Sequence, residues 1–265
     1  MRNFVFVTEG NHDVSFIGKL LTRRGFLRVT EFESLPEGWD SLYPRKFPWN
    51  GDSIERVARF PDVYANEQIA VGLINSGGDS RLVSSLRNAL DVMIPENVEL
   101  AIIFSDADAA PARSRFEGIQ NELKELNFDA VGEEAPGYPV TVPSEIAAIE
   151  GSKPAMGIFV FPDNSSCGSL EDILFSCSQV SHPDLADRAK SFVEEIDETL
   201  EEGHKSLKKM RAGLGRKKSI MGTIANVLKP GSSLAVAVEQ QKLIPDNANA
   251  PELVKRLDSF LDDCL

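Results

Sequence analysis

Two short acidic motifs, each at the end of an apolar run, carry the residue types from which a divalent-cation site is built. The first is Glu9-Gly10, preceded by Phe4-Val5-Phe6-Val7, with Asp13 a few residues on. The second is Asp106-Ala107-Asp108, preceded by Leu100-Ala101-Ile102-Ile103-Phe104 and Ser105. Hard cations such as Mg²⁺ take oxygen ligands and keep several waters, so two or three carboxylates suffice. The single residue between Asp106 and Asp108 lets both carboxylates project from one strand end. Gly10 permits a sharp turn beside Glu9 and close backbone approach. A helix starting between Glu9 and Asp13 would bring the Asp13 carboxylate near the same strand end. Each acid also has an ordinary reading, because an Asp just after a strand often caps the next helix. Two such motifs at two strand ends favour the cation site.

These motifs need a sheet to align them. Apolar runs over 4–7, 69–74, 100–104 and 156–161 read as buried strands, and helical spacing follows over 13–24, 80–90 and 113–126. Alternation of this kind predicts an α/β fold with a mostly parallel sheet, whose ligand sites lie beyond the carboxyl ends of the strands. From Ser169 onward the signals are helical, over 170–175, 184–200, 218–228 and 251–265. The chain is therefore expected to divide into an α/β core, 1–165, and a helical region, 166–265. An insertion over about 31–66 interrupts the core; its first 35 residues, 31–65, hold four prolines and both tryptophans, Trp39 and Trp49. A second Pro- and Gly-rich stretch, 135–154, has room for one short strand near Pro139–Val142.

Val7-Thr8-Glu9-Gly10-Asn11-His12-Asp13 followed by an apolar helix resembles the first motif of TOPRIM domains. Ala101–Asp108 resembles the second, an apolar strand ending in Asp-x-Asp. The resemblance covers roughly residues 1–165 and implies a Rossmann-like TOPRIM fold. It also implies a metal-binding or acid/base role for Glu9 and Mg²⁺ (or Mn²⁺) held by Asp106 and Asp108. Gly168-Ser169-Leu170-Glu171-Asp172-Ile173-Leu174 resembles a segment that follows the core in stand-alone TOPRIM-like proteins. In the related OLD-family nucleases, later carboxylates supply a second metal site and a later lysine assists catalysis. By that resemblance Glu171 and Asp172 are candidate ligands, and Lys218 is the candidate lysine, with Lys217 as the alternative. Two metal ions would suit in-line displacement at a phosphodiester, with the lysine neutralising charge that develops on the phosphate. Glu171 and Asp172 equally suit the first turn of a helix, where the dipole favours acids. The chain departs from better-known relatives in having no zinc-binding domain, no tyrosine in a topoisomerase-like context and no fused ATPase domain.

Weaker signals surround these motifs. Ser76-Gly77-Gly78-Asp79-Ser80 could offer backbone amides to a phosphate through Gly77 and Gly78, or form a capped turn. Residues 205–218 carry seven basic side chains and no acid, directly after the acidic run 194–202. Lys208, Lys209, Arg216 and Lys217 could hold a nucleic-acid backbone, or the two runs could pair with each other. His12 beside Glu9 reads as a surface histidine.

Composition limits the choice. A net charge of −13 argues against binding nucleic acid over the whole surface. Three cysteines and three scattered histidines make no zinc pattern and suit a reducing, cytoplasmic setting. No apolar run approaches a membrane span, and the N-terminus lacks a signal-peptide layout. The leading expectation is a Mg²⁺-dependent nuclease or related phosphotransfer enzyme acting on nucleic acid, DNA ahead of RNA, in repair or phage defence, with a homodimer implied by the resemblance. A non-catalytic TOPRIM-like module partnering a separate ATPase is the alternative. An Asp-x-Asp nucleotide-sugar glycosyltransferase is a further one, although that chemistry gives no reason for Glu9-Gly10. A phosphatase with an aspartyl nucleophile ranks lower, since Ala110 stands where such enzymes carry Thr or Val.

Overall fold

The computed structural model describes residues 1–43, 60–93, 97–130, 139–201 and 203–265. Trp49 and Tyr138 lie outside the described residues. The fold is mixed α/β, with a seven-stranded sheet and, among the described residues, nine α-helices. The strands are β1 (Arg2–Thr8), β2 (Leu27–Arg28), β3 (Asp62–Ala65), β4 (Ile69–Asn75), β5 (Val98–Asp106), β6 (Ile149–Glu150) and β7 (Ala155–Phe161), in the order β2-β3-β4-β1-β5-β7-β6. The sheet is parallel at its centre, where β1 lies between β4 and β5, and antiparallel at both edges. Central strands buried on both faces must be apolar throughout, and the Phe-Val-Phe-Val run of β1 and the Ala-Ile-Ile-Phe run of β5 are fully inaccessible or nearly so.

The chain divides into two units: Met1–Ser105 with Phe116–Phe159, and Asp106–Arg115 with Val160–Leu265. The division falls slightly before the expected boundary at 165, and the segment after β5 belongs with the C-terminal unit. In the first unit, α1 (Asn11–Arg23) packs against β3 and β4, α2 (Leu82–Val92) packs against β1, and most of α3 (Ala112–Ala130) completes the set. Glycines permit two close approaches there. A Cβ on Gly18 of α1 would lie 2.3 Å from the Tyr64 hydroxyl, and one on Gly72 of β4 would lie 2.0 Å from the Trp39 ring. Trp39 is fully buried, and its indole Nε1 donates to Asn3 Oδ1 at 2.9 Å. The described part of the insertion thus packs on the sheet through Trp39 and ends in strand β3.

The expected strand near Pro139–Val142 is absent. Asn127 of α3 instead makes a two-way bond with Val140, its side-chain amide donating to the Val140 carbonyl and accepting from its N–H, both at 2.8 Å. With its backbone groups satisfied by a side chain, this stretch needs no strand partner. The second unit is helical, with α4 (Leu170–Ser181), α5 (Pro183–Thr199), α6 (Lys208–Arg211), α7 (Gly215–Leu228), α8 (Leu234–Gln240) and α9 (Glu252–Cys264). Helices α4, α5 and α7 pack against one another through Ile173, Leu174, Ala189, Val193, Met221 and Ile224, all buried. Among the described residues, no helix is long and apolar enough to cross a membrane.

Candidate functional site

In the first unit, the Glu9-Gly10 motif follows β1 directly and opens α1. Gly10 is the N-cap in extended conformation, and its N–H donates to Asp13 Oδ2 at 2.7 Å. Asp13, buried, therefore acts as a cap for its own helix, one of the two readings open from its spacing. Glu9 is half-buried, and its Oε1 accepts a 2.7 Å bond from the Ser105 hydroxyl, which is fully buried. β1 and β5 are parallel neighbours with Val7 opposite Ile103, so the bond joins the ends of the two strands that carry the acidic motifs. Ser105, one residue before Asp106, was not among the expected site residues. Its only sequence signal is a lone hydroxyl between the apolar run 100–104 and Asp106.

In the second unit, Asp106-Ala107-Asp108 is held on both sides by backbone. The Ala107 N–H donates to the Phe161 carbonyl at 3.0 Å, and Asp108 and Gly168 exchange two 2.8 Å backbone bonds. Asp108 is exposed with φ of 57°, a left-handed conformation that Asp tolerates better than most residues. Gly168 has φ of 137°, and a Cβ there would lie 2.5 Å from Asp172 Oδ2. Immediately beyond, α4 begins. Asp106 Oδ1 accepts from the Leu170 N–H at 2.9 Å, and Asp172 Oδ2 accepts from the Ser169 N–H at 2.9 Å. Glu171, buried, takes a 2.7 Å bond from the buried Ser169 hydroxyl. Three carboxylates thus attend one helix start, where orphan N–H groups and the positive end of the dipole favour them.

Lys217, not Lys218, answers these acids: its Nζ lies 2.6 Å from Asp172 Oδ1 and 2.8 Å from Oδ2. Lys218 is exposed. Among the described residues, no group of three or more His, Cys, Asp or Glu side chains is gathered closely enough to hold a metal ion. Asp106, Asp108, Glu171 and Asp172 come together as neighbours of the α4 start, each acid but Asp108 accepting a hydrogen bond from the α4 start or its cap Ser169.

A family model described as a protein of unknown function, DUF3226, matches residues 3–262. The chain belongs to the DUF3226 family. It is also similar to the hypothetical protein PH0156 from Pyrococcus horikoshii OT3, with a TM-score of 0.56 and 17% identity over 99% of this chain and 95% of that one. At that identity the likeness is one of fold alone. No curated protein matches the sequence.

The basic run of this DUF3226 chain is divided by the structure. Arg211 and Arg216 both reach Asp197 at the end of α5, Arg211 Nε at 2.6 Å, so the acidic and basic runs do pair in part. Arg211 also donates to the carbonyls of Asp197, Leu200 and Glu201, capping the C-terminal end of α5. With Lys217 on Asp172, Lys208 and Lys209 remain as exposed lysines for which no acid partner is seen among the described residues. The glycine loop is also internally bonded. The Gly77 N–H donates to Asn75 Oδ1 at 2.8 Å and to the Glu9 carbonyl at 3.1 Å, which leaves that amide occupied; Gly78 follows with φ of 140°.

Proposed function

We propose that this chain is a divalent-metal-dependent phosphodiesterase acting on nucleic acid in the cytoplasm, DNA ahead of RNA. Asp106 and Asp108 would hold Mg²⁺ or Mn²⁺, and Glu9 would serve as ligand or acid/base, as the TOPRIM resemblance implies. The observation that supports this reading best is the Ser105–Glu9 bond, which links the first motif to the residue just before the second. The donors suit the ion: carboxylate oxygens are what a hard cation takes, and the Asp108 side chain is exposed on a backbone pinned by Gly168. A bound cation of this kind activates water and steadies the leaving oxygen of a phosphodiester. The chain's own groups do the positioning. Leu170 N–H fixes one oxygen of Asp106, Ser105 fixes one oxygen of Glu9, and Lys208 and Lys209 offer charge to a phosphate backbone.

The test is cleavage of single- and double-stranded DNA and RNA with Mg²⁺ or Mn²⁺, comparing wild type with Glu9→Gln plus Asp106→Asn. Both replacements keep an oxygen to accept the Ser105 and Leu170 bonds, so the fold should survive. Activity should fall at least about 100-fold. Equal residual activity in the two proteins sinks the proposal.

A second reading, a non-catalytic module partnering a separate ATPase, is favoured by one observation. Both oxygens of Asp172 are engaged by Lys217, and the buried Glu171 is engaged by Ser169. Acids so satisfied have a structural explanation. Calorimetry with Mg²⁺ and Mn²⁺ separates the readings, since a module of this kind binds neither ion at Asp106.

A further inference from the structure

A cleft of about 370 Å³ opens in the first unit at the carboxyl end of β4, along one face of α2. Its size falls in the roughly 300–1,000 Å³ range of small-ligand sites, and the carboxyl ends of parallel strands are where such folds bind ligands. Its lining is divided by chemistry. Arg81, Ser85 and Asn88 stand at helical spacing on one face of α2 and its opening turn, and Leu42, Pro61 and Val92 supply apolar surface. Arg81 is held by a bond from its guanidinium to the Gly77 carbonyl, and among the described residues no carboxylate pairs with it. No hydrogen bond of the Ser85 hydroxyl or the Asn88 amide to the protein is seen among the described residues. A cation, a hydroxyl and an amide thus line one wall of the cleft with capacity to bind something else.

We infer that this cleft binds a single nucleotide unit, with its phosphate at Arg81 and its base toward Asn88 and the apolar wall. Arg81 stands at the N-terminal end of α2, where the dipole adds to its charge in attracting an anion. Seven residues separate Arg81 from Asn88, about 10.5 Å along a helix, which suits the span from a 5′-phosphate to its base. Ser85 lies between them, placed for a sugar hydroxyl. Asn88 offers both a donor and an acceptor, the pair that a base edge requires. Leu42, Pro61 and Val92 give a base face something apolar to lie against. The chemistry is that of a free nucleoside monophosphate or of the terminal nucleotide of a strand. It uses none of the carboxylates assigned to the cation, so it stands or falls separately from the phosphodiesterase reading.

The experiment is calorimetry on the full chain in EDTA, titrating 5′-AMP, adenosine, inorganic phosphate and a 5′-phosphorylated oligonucleotide. 5′-AMP should bind at least about tenfold more tightly than adenosine or inorganic phosphate, a difference of about 1.4 kcal/mol. Arg81→Gln should weaken 5′-AMP at least about tenfold, and Asn88→Ala about threefold to tenfold. Both side chains are exposed, so neither change should alter the melting temperature; if Arg81→Gln does, Asn88→Ala alone carries the test. Tighter binding of the oligonucleotide identifies a strand end as the ligand, and tighter binding of 5′-AMP identifies the free nucleotide. No binding of either, binding unchanged in both variants, or inorganic phosphate binding as tightly as 5′-AMP overturns the inference.

Discussion

Helix α1 in the first unit and helix α4 in the second begin alike. In each, an Asp in the first turn turns back to accept the N–H of the capping residue: Asp13 from Gly10 at 2.7 Å, Asp172 from Ser169 at 2.9 Å. The two starts differ in what surrounds that device. At α1 the cap is a glycine in ordinary extended conformation, and Asp13 is buried. At α4 the cap follows Gly168 in a backbone conformation that other residues rarely adopt, and the carboxylates of Asp106 and Glu171 attend the same helix start. A lysine from α7 then offsets part of that negative charge. A first-turn acid is therefore weak evidence of a ligand. The convergence of acids from separate segments on one helix start is stronger, because capping alone needs only one of them.

The sharpest way to separate the two starts is through their glycines. Gly168→Ala forces a side chain into φ of 137° and brings a Cβ within 2.5 Å of Asp172 Oδ2 and 3.2 Å of Pro162 Cδ. The expected loss is about 2–4 kcal/mol, from backbone strain together with overpacking. For Gly10→Ala the nearest atom is Asp13 Oδ2 at 3.6 Å, an ordinary contact, so the loss should stay within about 1 kcal/mol, the modest preference for Gly over Ala at a cap. Urea unfolding of the two variants measures both. Equal losses would mean that the α4 start is no more constrained than the α1 start.

The acids give a smaller effect. Asp13→Ala and Asp172→Ala should each cost about 1 kcal/mol through the lost cap. Asp172 differs in having Lys217. A double-mutant cycle with Asp172→Asn and Lys217→Met, which keeps the cap acceptor, isolates the ion pair. The side chains are 26% and 43% exposed, so the coupling should be about 0.2–1 kcal/mol and shrink with added salt. A coupling of zero at low salt removes Lys217 from the account of the α4 start.

Much of this frame was readable in the residues. The central strands β1, β4, β5 and β7 are short continuous apolar runs, which is what burial on both faces demands. The edge strands β2 and β6 have two residues each, and both residues of β2 are exposed, so no periodicity could announce them. Glu9, Asp106 and Asp108 were visible as acids ending apolar strands. Ser105 was not, since a hydroxyl after an apolar run becomes informative only when parallel pairing brings Glu9 to it. Which of Lys217 and Lys218 reaches the α4 start is decided by helix phase, which a run of basic residues does not display. The buried face of α7 runs through Ile220, Met221 and Ile224, which puts Lys217 in line with that face and Lys218 further round toward solvent. Leu170 was unreadable as a partner of Asp106, because a backbone N–H leaves no mark in a sequence.

The smallest predicted effect concerns a third carboxylate that caps backbone, with no helix start and no candidate cation beside it. Asp163 accepts the N–H groups of Ser165 at 3.1 Å and Ser166 at 2.7 Å, and Arg256 of α9 lies 3.2 Å away. Burial alone would raise its carboxyl, but the hydrogen bonds from Ser166 and Ser165 outweigh it and hold the group below its ordinary value of 3.8. A carboxyl with a lowered folded value stabilises the fold fully above its unfolded value and loses that contribution as pH falls through the folded one. Wild type should therefore exceed Asp163→Asn in stability near neutral pH, and the difference should shrink as pH drops below about 4. Denaturant unfolding of both proteins across that range reads the difference directly. A gap that stays constant with pH would show that Asp163 acts through shape alone. It would also suggest that Asp13 and Asp172, which accept backbone N–H groups in the same way, cap their helices by geometry more than by charge.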